Sequence, residues 1–330
     1  MRAVVLSGHG GPEVLRVVDV PDPAPGPEEV LVDVAATALN RADLLQRRGL
    51  YPNPFPEDRE IPGMEFSGTV AAVGSRVRAW KPGDEVMGIV SGGAYAQRLV
   101  VHERQAVRIP AGTVLADAAA IPEVFITAWD ALVLQGGLTS GRWALVHAAA
   151  SGVGTAAVQI CRALGARVAG TCSAGKVDAV RALGADLVVD HQSQDFVAEV
   201  LAATGGRGAD VVLDVVGGDY LDRNVAALAP RGTIVQVGVM GGGTTSFNLA
   251  ALMPKRARLA GTVLRARPLE EKIAVSQRFA AEVVPLFESG ALRPVIDRRY
   301  PLDAIAEAHA YMESNANVGK IVVDVASSAG

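Results

Sequence analysis

The sequence predicts an α/β protein: a doubly wound parallel sheet preceded by a smaller, mostly β region. Three observations carry this. Up to about Pro110 the chain reads as short apolar runs broken by Gly and Pro. From about Leu115 it changes to Ala-rich helical stretches alternating with buried strands, the pattern of a parallel sheet with right-handed crossovers. Between them lies ALVHAAASGVGTAAVQICRALGARVAGTCSAGK, Ala144–Lys176, which opens as a strand, passes through small residues and continues as a helix.

In order, strands are expected at Val14–Val20, Val30–Val34, Thr69–Val73, Glu85–Val90 and Arg98–Val101. The punctuation between them is PDPAPGPEE at Pro21–Glu29, YPNPFP at Tyr51–Pro56 and KPGDEV at Lys81–Val86. One helix interrupts, at Arg41–Gly49, and the spacing suggests a compact antiparallel barrel or sandwich. The parallel sheet then takes Trp143–Ala148, Arg167–Thr171, Leu187–Asp190, Val211–Val215, Thr233–Val237 and Leu259–Leu264. Helices are expected at Gly154–Leu164, Lys176–Leu183 and Asp195–Ala203. After Pro268 come a helix at Leu269–Ser289, a strand at Val295–Arg299, a helix at Leu302–Met312 and a strand at Lys320–Val325.

Length and composition narrow the function. A chain of 330 residues, 50% hydrophobic, is long enough for about two domains with sizeable cores. Two Cys cannot make a disulfide framework and suit a reducing cytoplasm. The formal charge is -4, from 31 Lys and Arg against 35 Asp and Glu, so the basic excess of a nucleic-acid binder is missing. The N-terminal MRAVVLSGHGG is too short in its apolar part for a signal peptide. Trp143–Cys161 carries no charged side chain, but His147, Ser151, Thr155 and Gln159 fit a strand-turn-helix better than a membrane span. No membrane or nucleic-acid partner is expected.

The turn after the first strand of the parallel sheet is Ala149-Ala150-Ser151-Gly152-Val153-Gly154. It matches G-x-G-x-x-G loosely, with Ala149 and Ser151 in the first two Gly places and Gly154 in the third. A helix N-terminus presents unpaired N–H groups and a partial positive charge, and small residues let the backbone approach a pyrophosphate. Ala150, Ser151, Gly152, Val153 and Gly154 are therefore candidate cofactor ligands, although tight strand-helix packing alone would also select small residues. At the end of the second strand, a site for NAD would place an Asp or Glu on the ribose 2′-hydroxyl. This chain offers Thr171, Cys172, Ser173 and then Lys176. Hydroxyls and a cation favour a 2′-phosphate, so the expected cofactor is NADPH, with Ser173 and Lys176 as ligands. His191, after the third strand, is a further candidate near the adenine or its phosphate.

The chain resembles the medium-chain dehydrogenase/reductases. Within them it resembles the zinc-free quinone oxidoreductases related to zeta-crystallin. The resemblance rests on AATALNRADLLQRRGLYP at Ala35–Pro52, IPGMEFSGTVAAVG at Ile61–Gly74 and KPGDEV at Lys81–Val86. It continues through AAIPEVFITAWDAL at Ala119–Leu132, HAAASGVGTAAVQ at His147–Gln159 and NVGKIVV at Asn317–Val323, so it spans nearly the whole chain. It implies a GroES-like catalytic domain over residues 1–122, an inserted Rossmann domain over 123–267, and a C-terminal segment, 268–330, that completes the first. It also implies a homodimer formed through the cofactor domain.

The resemblance further places Asn40, Asp43 and Tyr51 near the nicotinamide and the substrate cleft between the domains. Tyr51 would donate a hydrogen bond to a carbonyl oxygen gaining charge, while Asp43 equally serves as a helix cap. Thr127 matches a position near the cofactor phosphates. Gly238 and Met240 follow a sheet strand, where strand carboxyl ends form the binding crevice. Gly241–Gly243 would let the backbone approach the cofactor or a second subunit. Leu264 and Arg265 match positions flanking the nicotinamide ribose, and one of Asn315 and Asn317 is expected to touch cofactor.

A catalytic zinc takes three ligands from Cys, His, Asp or Glu. Zinc-dependent relatives have Cys where this chain has Asn40, and His where it has Met64 before Glu65. Their third ligand falls around Pro122–Glu123. No metal is expected, and hence no Lewis acid to ionise an alcohol. The expected activity is NADPH-dependent reduction of a quinone or other conjugated carbonyl. The alternatives are an NADPH-dependent enoyl thioester reductase, and an NADPH-binding protein with little turnover.

Overall fold

A computed structural model describes residues 1–54 and 60–325; Phe55 and Pro56 of the Pro-rich loop lie outside the described residues. The chain divides into two compact units, Met1–Ile126 with Leu264–Gly330, and Thr127–Val263.

In the first unit, β1 (Arg2–Leu6) and β2 (Leu15–Asp19) form an antiparallel pair. β3 (Glu29–Ala38) is followed by α1 (Arg41–Arg47), β4 (Glu65–Val73), β5 (Glu85–Ile89), β6 (Arg98–His102) and β7 (Val107–Arg108); α2 (Pro122–Trp129) starts in this unit and its last residues, from Thr127, belong to the second. β3 begins by alternating, with Val30, Val32 and Val34 buried and Asp33 exposed, the mark of one face on a core. Its second half is buried on both faces. Ala36 and Ala38 pack there against Ala119, Ala120 and Val322, and small side chains permit the close approach.

The second unit runs β8 (Trp143–Val146), α3 (Gly152–Ala163), β9 (Arg167–Cys172), α4 (Val177–Ala182) and β10 (Leu187–Asp190). It continues with α5 (Phe196–Ala203), β11 (Ala209–Asp214), α6 (Tyr220–Ala227), β12 (Leu228–Gln236), α7 (Leu252–Lys255) and β13 (Arg258–Gly261). All strand pairs are parallel, in the order β10-β9-β8-β11-β12-β13. The order reverses at β8, so the binding crevice of this architecture lies at the carboxyl ends of β8 and β11. β11 is buried at every position, as a central parallel strand should be. The core of this unit joins Leu145, Val189, Phe196, Val200, Val212 and Ile234. Each such side chain contributes about 1.5–3 kcal/mol by leaving water.

The chain returns to the first unit with α8 (Leu269–Glu282), α9 (Val284–Glu288), β14 (Ile296–Pro301), α10 (Ile305–Glu313) and β15 (Lys320–Asp324). β15 pairs antiparallel with β3, matching Val322 to Ala38, and closes a seven-stranded sheet ordered β14-β15-β3-β4-β5-β7, with β6 also on β3. Leu302, Ile305 and Ile321 share a core with Val32, Leu44 and Phe66.

Several boundaries differ from the sequence expectation. β3 runs on to Ala38 rather than stopping at Val34, and β4 starts at Glu65 rather than Thr69. The helix expected over 269–289 is two helices, because Pro285 near the start of α9 has no N–H to continue the ladder. β12 starts at Leu228, earlier than Thr233. β13 ends at Gly261 rather than Leu264, so Leu264 and Arg265 belong to the first unit and not to a sheet strand. Among the described residues no helix is long and apolar enough to cross a membrane.

Candidate functional site

In the second unit, Ala148 adopts the left-handed region at φ 52 immediately after β8. The chain then turns, with Ser151 N donating to Ala148 O at 2.8 Å and Ala149 N to Thr171 O at 2.8 Å. Ser151 caps α3, its Oγ accepting from Gly154 N at 3.0 Å. A Cβ on Gly154 would lie 2.3 Å from Ala148 O, so no side chain fits there. Gly170 on β9 is similarly restricted, since its Cβ would lie 2.7 Å from that of Ala149. The first two N–H groups of α3, on Gly152 and Val153, have no carbonyl one turn back within the helix. With the dipole of a 12-residue helix behind them they suit an anion. The turn fits a pyrophosphate by chemistry and by clearance.

A buried network fixes this turn. His147, fully buried, meets Thr171 Oγ1 through Nδ1 at 3.0 Å and Asn224 Oδ1 through Nε2 at 2.7 Å. Asn224 Nδ2 donates to Asp214 Oδ2 at 2.8 Å, so its Oδ1 must face an N–H of His147, and Nδ1 then accepts from Thr171. Burial lowers the His147 pKa and keeps the ring neutral, as this pattern requires. Asp214 Oδ1 in turn accepts from Val216 N at 2.6 Å and Gly217 N at 3.0 Å. The carboxyl ends of β8, β9 and β11 are thereby tied together. Neither His147 nor Asn224 stood out in sequence.

Beyond β9, Thr171 and Cys172 are buried, and Ser173 precedes a short turn whose Lys176 N donates to Ser173 O at 2.9 Å. Lys176 is half-buried and His191 is exposed, its N donating to Cys172 O at 3.1 Å. An acidic residue is present after all, one strand over. Asp190 on β10 is in register with Cys172, and its carboxylate accepts from Ser193 Oγ at 2.6 Å and Gln192 N at 3.2 Å. Those donors, the Ser193 hydroxyl first, hold its pKa below the usual carboxylate range. Burial raises the Cys172 thiol pKa, with Asp190 adding and Lys176 opposing, so both charges act on this spot.

After β12, Gln236 Nε2 donates to Gly238 O at 2.6 Å, and Met240 is half exposed. Gly217 bridges Gly242, and a Cβ on Gly218 would lie 3.0 Å from Gly241 O. Glycines at 241–242 thus already serve an approach of two loops of this unit. Thr127 is buried on α2.

In the first unit, Asn40 precedes α1 and is buried. Its Nδ2 donates to Glu65 Oε1 at 2.9 Å and its Oδ1 accepts from Lys320 Nζ at 2.8 Å. Lys320 also bonds Leu39 O at 2.6 Å and pairs with Glu65 Oε1 at 2.7 Å, with both partners almost fully buried. Glu65 Oε2 accepts from Glu123 N at 2.8 Å. The Asn40 amide is thus committed within the protein. Glu65, Lys320 and Glu123 are the site members that sequence reasoning did not assign.

This cluster does not fit a catalytic zinc. Zinc needs three anionic or imidazole ligands. Here stand a neutral amide, the buried thioether of Met64 and carboxylates, and an ammonium already occupies the cation position beside Glu65. Among the described residues no group of three His, Cys, Asp or Glu could hold a metal ion.

Asp43, fully buried, accepts from Asn40 N at 2.7 Å and Tyr95 Oη at 3.0 Å through Oδ2, while Oδ1 has no partner. Burial raises its pKa to about 6. Tyr95 Oη lies 3.3 Å from His309 Nε2, and His309 Nδ1 lies 3.4 Å from Arg47 Nη1. Arg47 donates to Nδ1, Nε2–H to Tyr95 and Tyr95 to Asp43, which makes one consistent chain. Burial, with Arg47 beside it, pushes the His309 pKa down to about 3.

Tyr51 is partly buried, and its pKa is raised by burial and then by Glu123. The Arg265 guanidinium sits 5.2 Å from the Tyr51 ring centroid. Nε of Arg265 donates to Ser91 O at 2.7 Å and Nη1 to Tyr51 O at 3.3 Å, while Nη2 is buried without a partner. Lys272, also buried, bonds Ser91 Oγ. Leu264 is buried. Asn317 Nδ2 donates to Gly319 O at 2.8 Å, and exposed Asn315, at φ 56, accepts from Arg41 Nη2 at 2.6 Å.

Residues 26–111 match the alcohol dehydrogenase GroES-like domain, and residues 183–323 match the zinc-binding dehydrogenase domain. The human synaptic vesicle membrane protein VAT-1 homolog is 33% identical over 98% of this chain and 86% of its own. The quinone oxidoreductase of Lama guanicoe is 34% identical over 98% of this chain and 97% of its own. The crystal structure of Escherichia coli quinone oxidoreductase complexed with NADPH has a TM-score of 0.88 at 31% identity, over 98% of this chain and 100% of that one. With the fold, the phosphate turn and full-length identity in agreement, the chain belongs to the medium-chain dehydrogenase/reductase superfamily, in the group that includes the quinone oxidoreductases.

Proposed function

We propose that this protein is an NADPH-dependent, zinc-independent oxidoreductase whose acceptor is a quinone or another conjugated carbonyl. The observation that carries the reading is the Lys320 ammonium between Asn40 and Glu65. A fixed cation there repels a divalent ion and leaves no Lewis acid for an alcohol, so reduction of an electron-poor acceptor is the chemistry that remains. NADPH, when bound, supplies the hydride.

The chain's own residues bind and orient. Gly152 and Val153 N–H and the Ser151 hydroxyl would hold the pyrophosphate, and Ser173 and Lys176 the 2′-phosphate. Asp190, one strand over and held ionised by Ser193 and Gln192, opposes the extra charge. Lys176 then decides in favour of NADPH, since a charge-assisted contact contributes about 1.5–3 kcal/mol. His147, Asn224 and Asp214 keep the turn rigid. Tyr51, facing Arg265, would donate to the acceptor oxygen. The testing experiment is acceptor-dependent NADPH oxidation before and after prolonged chelation. Unchanged quinone turnover supports the reading; activity lost to chelation and restored by zinc refutes it.

We further propose a homodimer through the second unit. β13 is a sheet edge. Exposed apolar side chains lie on it at Leu259, just after it at Val263, and on the helical turns before it at Leu249 and Met253. Light scattering at twice the chain mass supports this; monomer mass overturns it. Two buried free cysteines suit a cytoplasmic location.

A further inference from the structure

We propose that Glu123 is the proton donor to the reduced acceptor, its partly exposed carboxyl standing without a hydrogen-bond partner beside Tyr51, Arg265 and Lys272. This rests on the reading of the protein as a reductase of conjugated carbonyls.

The second residue of α2, Glu123 is fixed through its backbone. Its N–H goes to Glu65 Oε2 at 2.8 Å, which leaves the side chain uncommitted. Among the described residues its carboxyl makes no hydrogen bond and no ion pair. Most acids so placed are ionised and salt-bridged. Here the Lys320 ammonium, which acts on Glu123, is spent on Glu65, Asn40 and Leu39.

The groups around it are Glu65 on β4, Asp43 on α1, Lys320 on β15, Arg265, Lys272 on α8, and Tyr51. Burial and then the Glu65 charge raise the Glu123 pKa to about 8, against the pull of Lys320 and Arg265. The α2 N-terminus favours the ionised form, but that effect is less than about one pK unit. The carboxyl therefore carries its proton at neutral pH, and partial exposure lets solvent restore it. An acid with a pKa near the working pH is the efficient kind.

The step balances. The acceptor gains a hydride from NADPH, which leaves as NADP⁺, and a quinone becomes the hydroquinone anion. The Glu123 O–H bond breaks and an O–H bond forms on the acceptor. Glu123 is left as carboxylate, and water or buffer reprotonates it.

The test is Glu123→Gln, with Glu123→Asp beside it. In the cofactor-free protein, infrared difference titration should show a protonated-carboxyl band that disappears near pH 8 and is absent from E123Q. In turnover with a quinone, wild-type kcat should fall above about pH 8. E123Q should lose roughly 100-fold in kcat at pH 7, with that limb gone and little change in KM for NADPH. E123D should recover part of both. Equal rates and equal pH profiles in wild type and E123Q would overturn the proposal, as would absence of the band at pH 7. Failure of the underlying reading looks different: the wild type itself would turn over no conjugated carbonyl, which overturns both, with the infrared band intact.

Discussion

Replacing Lys320 by Met should destabilise the first unit more than any loss of surface charge would. The ammonium is 3% exposed and has three oxygen partners, at 2.6, 2.7 and 2.8 Å. Methionine fills much of the volume, so the main loss is charge. Glu65, fully buried, would keep hydrogen bonds from Asn40 Nδ2 and Glu123 N but lose its counter-ion. Breaking a buried pair on one side costs about 3–5 kcal/mol, against a typical total stability of about 5–15 kcal/mol. For a unit of this size that is a drop in Tm of about 6–20 °C. The second change, Glu65→Gln, removes the stranded charge and should restore most of the loss. Scanning calorimetry of wild type, both single variants and the double variant measures the coupling. A Lys320→Met transition within 2 °C of wild type, or no recovery in the double variant, would refute the buried-pair argument and weaken the zinc-independence drawn from it.

Lys176→Ala should weaken NADPH roughly tenfold or more and spare NADH, and Asp190→Asn should tighten NADPH; equal changes for both cofactors in a binding titration would contradict this. Gly154→Ala should abolish cofactor binding or folding of the second unit, since the new Cβ would lie 2.3 Å from Ala148 O; a variant that binds NADPH normally would contradict the cradle. His309 is held neutral with a pKa near 3 against 6.5 unfolded, so its stability contribution is present above pH 6.5 and lost as pH falls, by up to about 1.4 kcal/mol per pH unit. A His309→Gln variant should show a flatter acid limb in urea unfolding than wild type, and an unchanged limb would contradict the network.

The second unit was legible because its signals are local. A strand, a small-residue turn and a helix announce Ser151 and Gly154 without reference to anything distant. The first unit was less so. The connected set Asn40, Glu65, Glu123 and Lys320 is gathered from the start of α1, β4, α2 and β15, and no spacing rule links such positions. Lys320 sits one residue after a glycine in an apolar strand, where a lysine reads as an edge residue. The His147–Asn224–Asp214 network escaped for the same reason: its polar residues look like isolated strand and helix positions until β8 and β11 are paired. Asp190 shows a different limit. Only sheet register puts it beside Cys172, so the missing acid at the end of β9 was half the electrostatic picture.

The most direct test is the initial rate of NADPH oxidation, with NADH as control, against an ortho-quinone and an enoyl thioester. The account predicts quinone-dependent turnover that prefers NADPH. Turnover with the thioester alone would move the function to enoyl reduction on the same fold. NADPH binding without turnover of either acceptor would contradict the account.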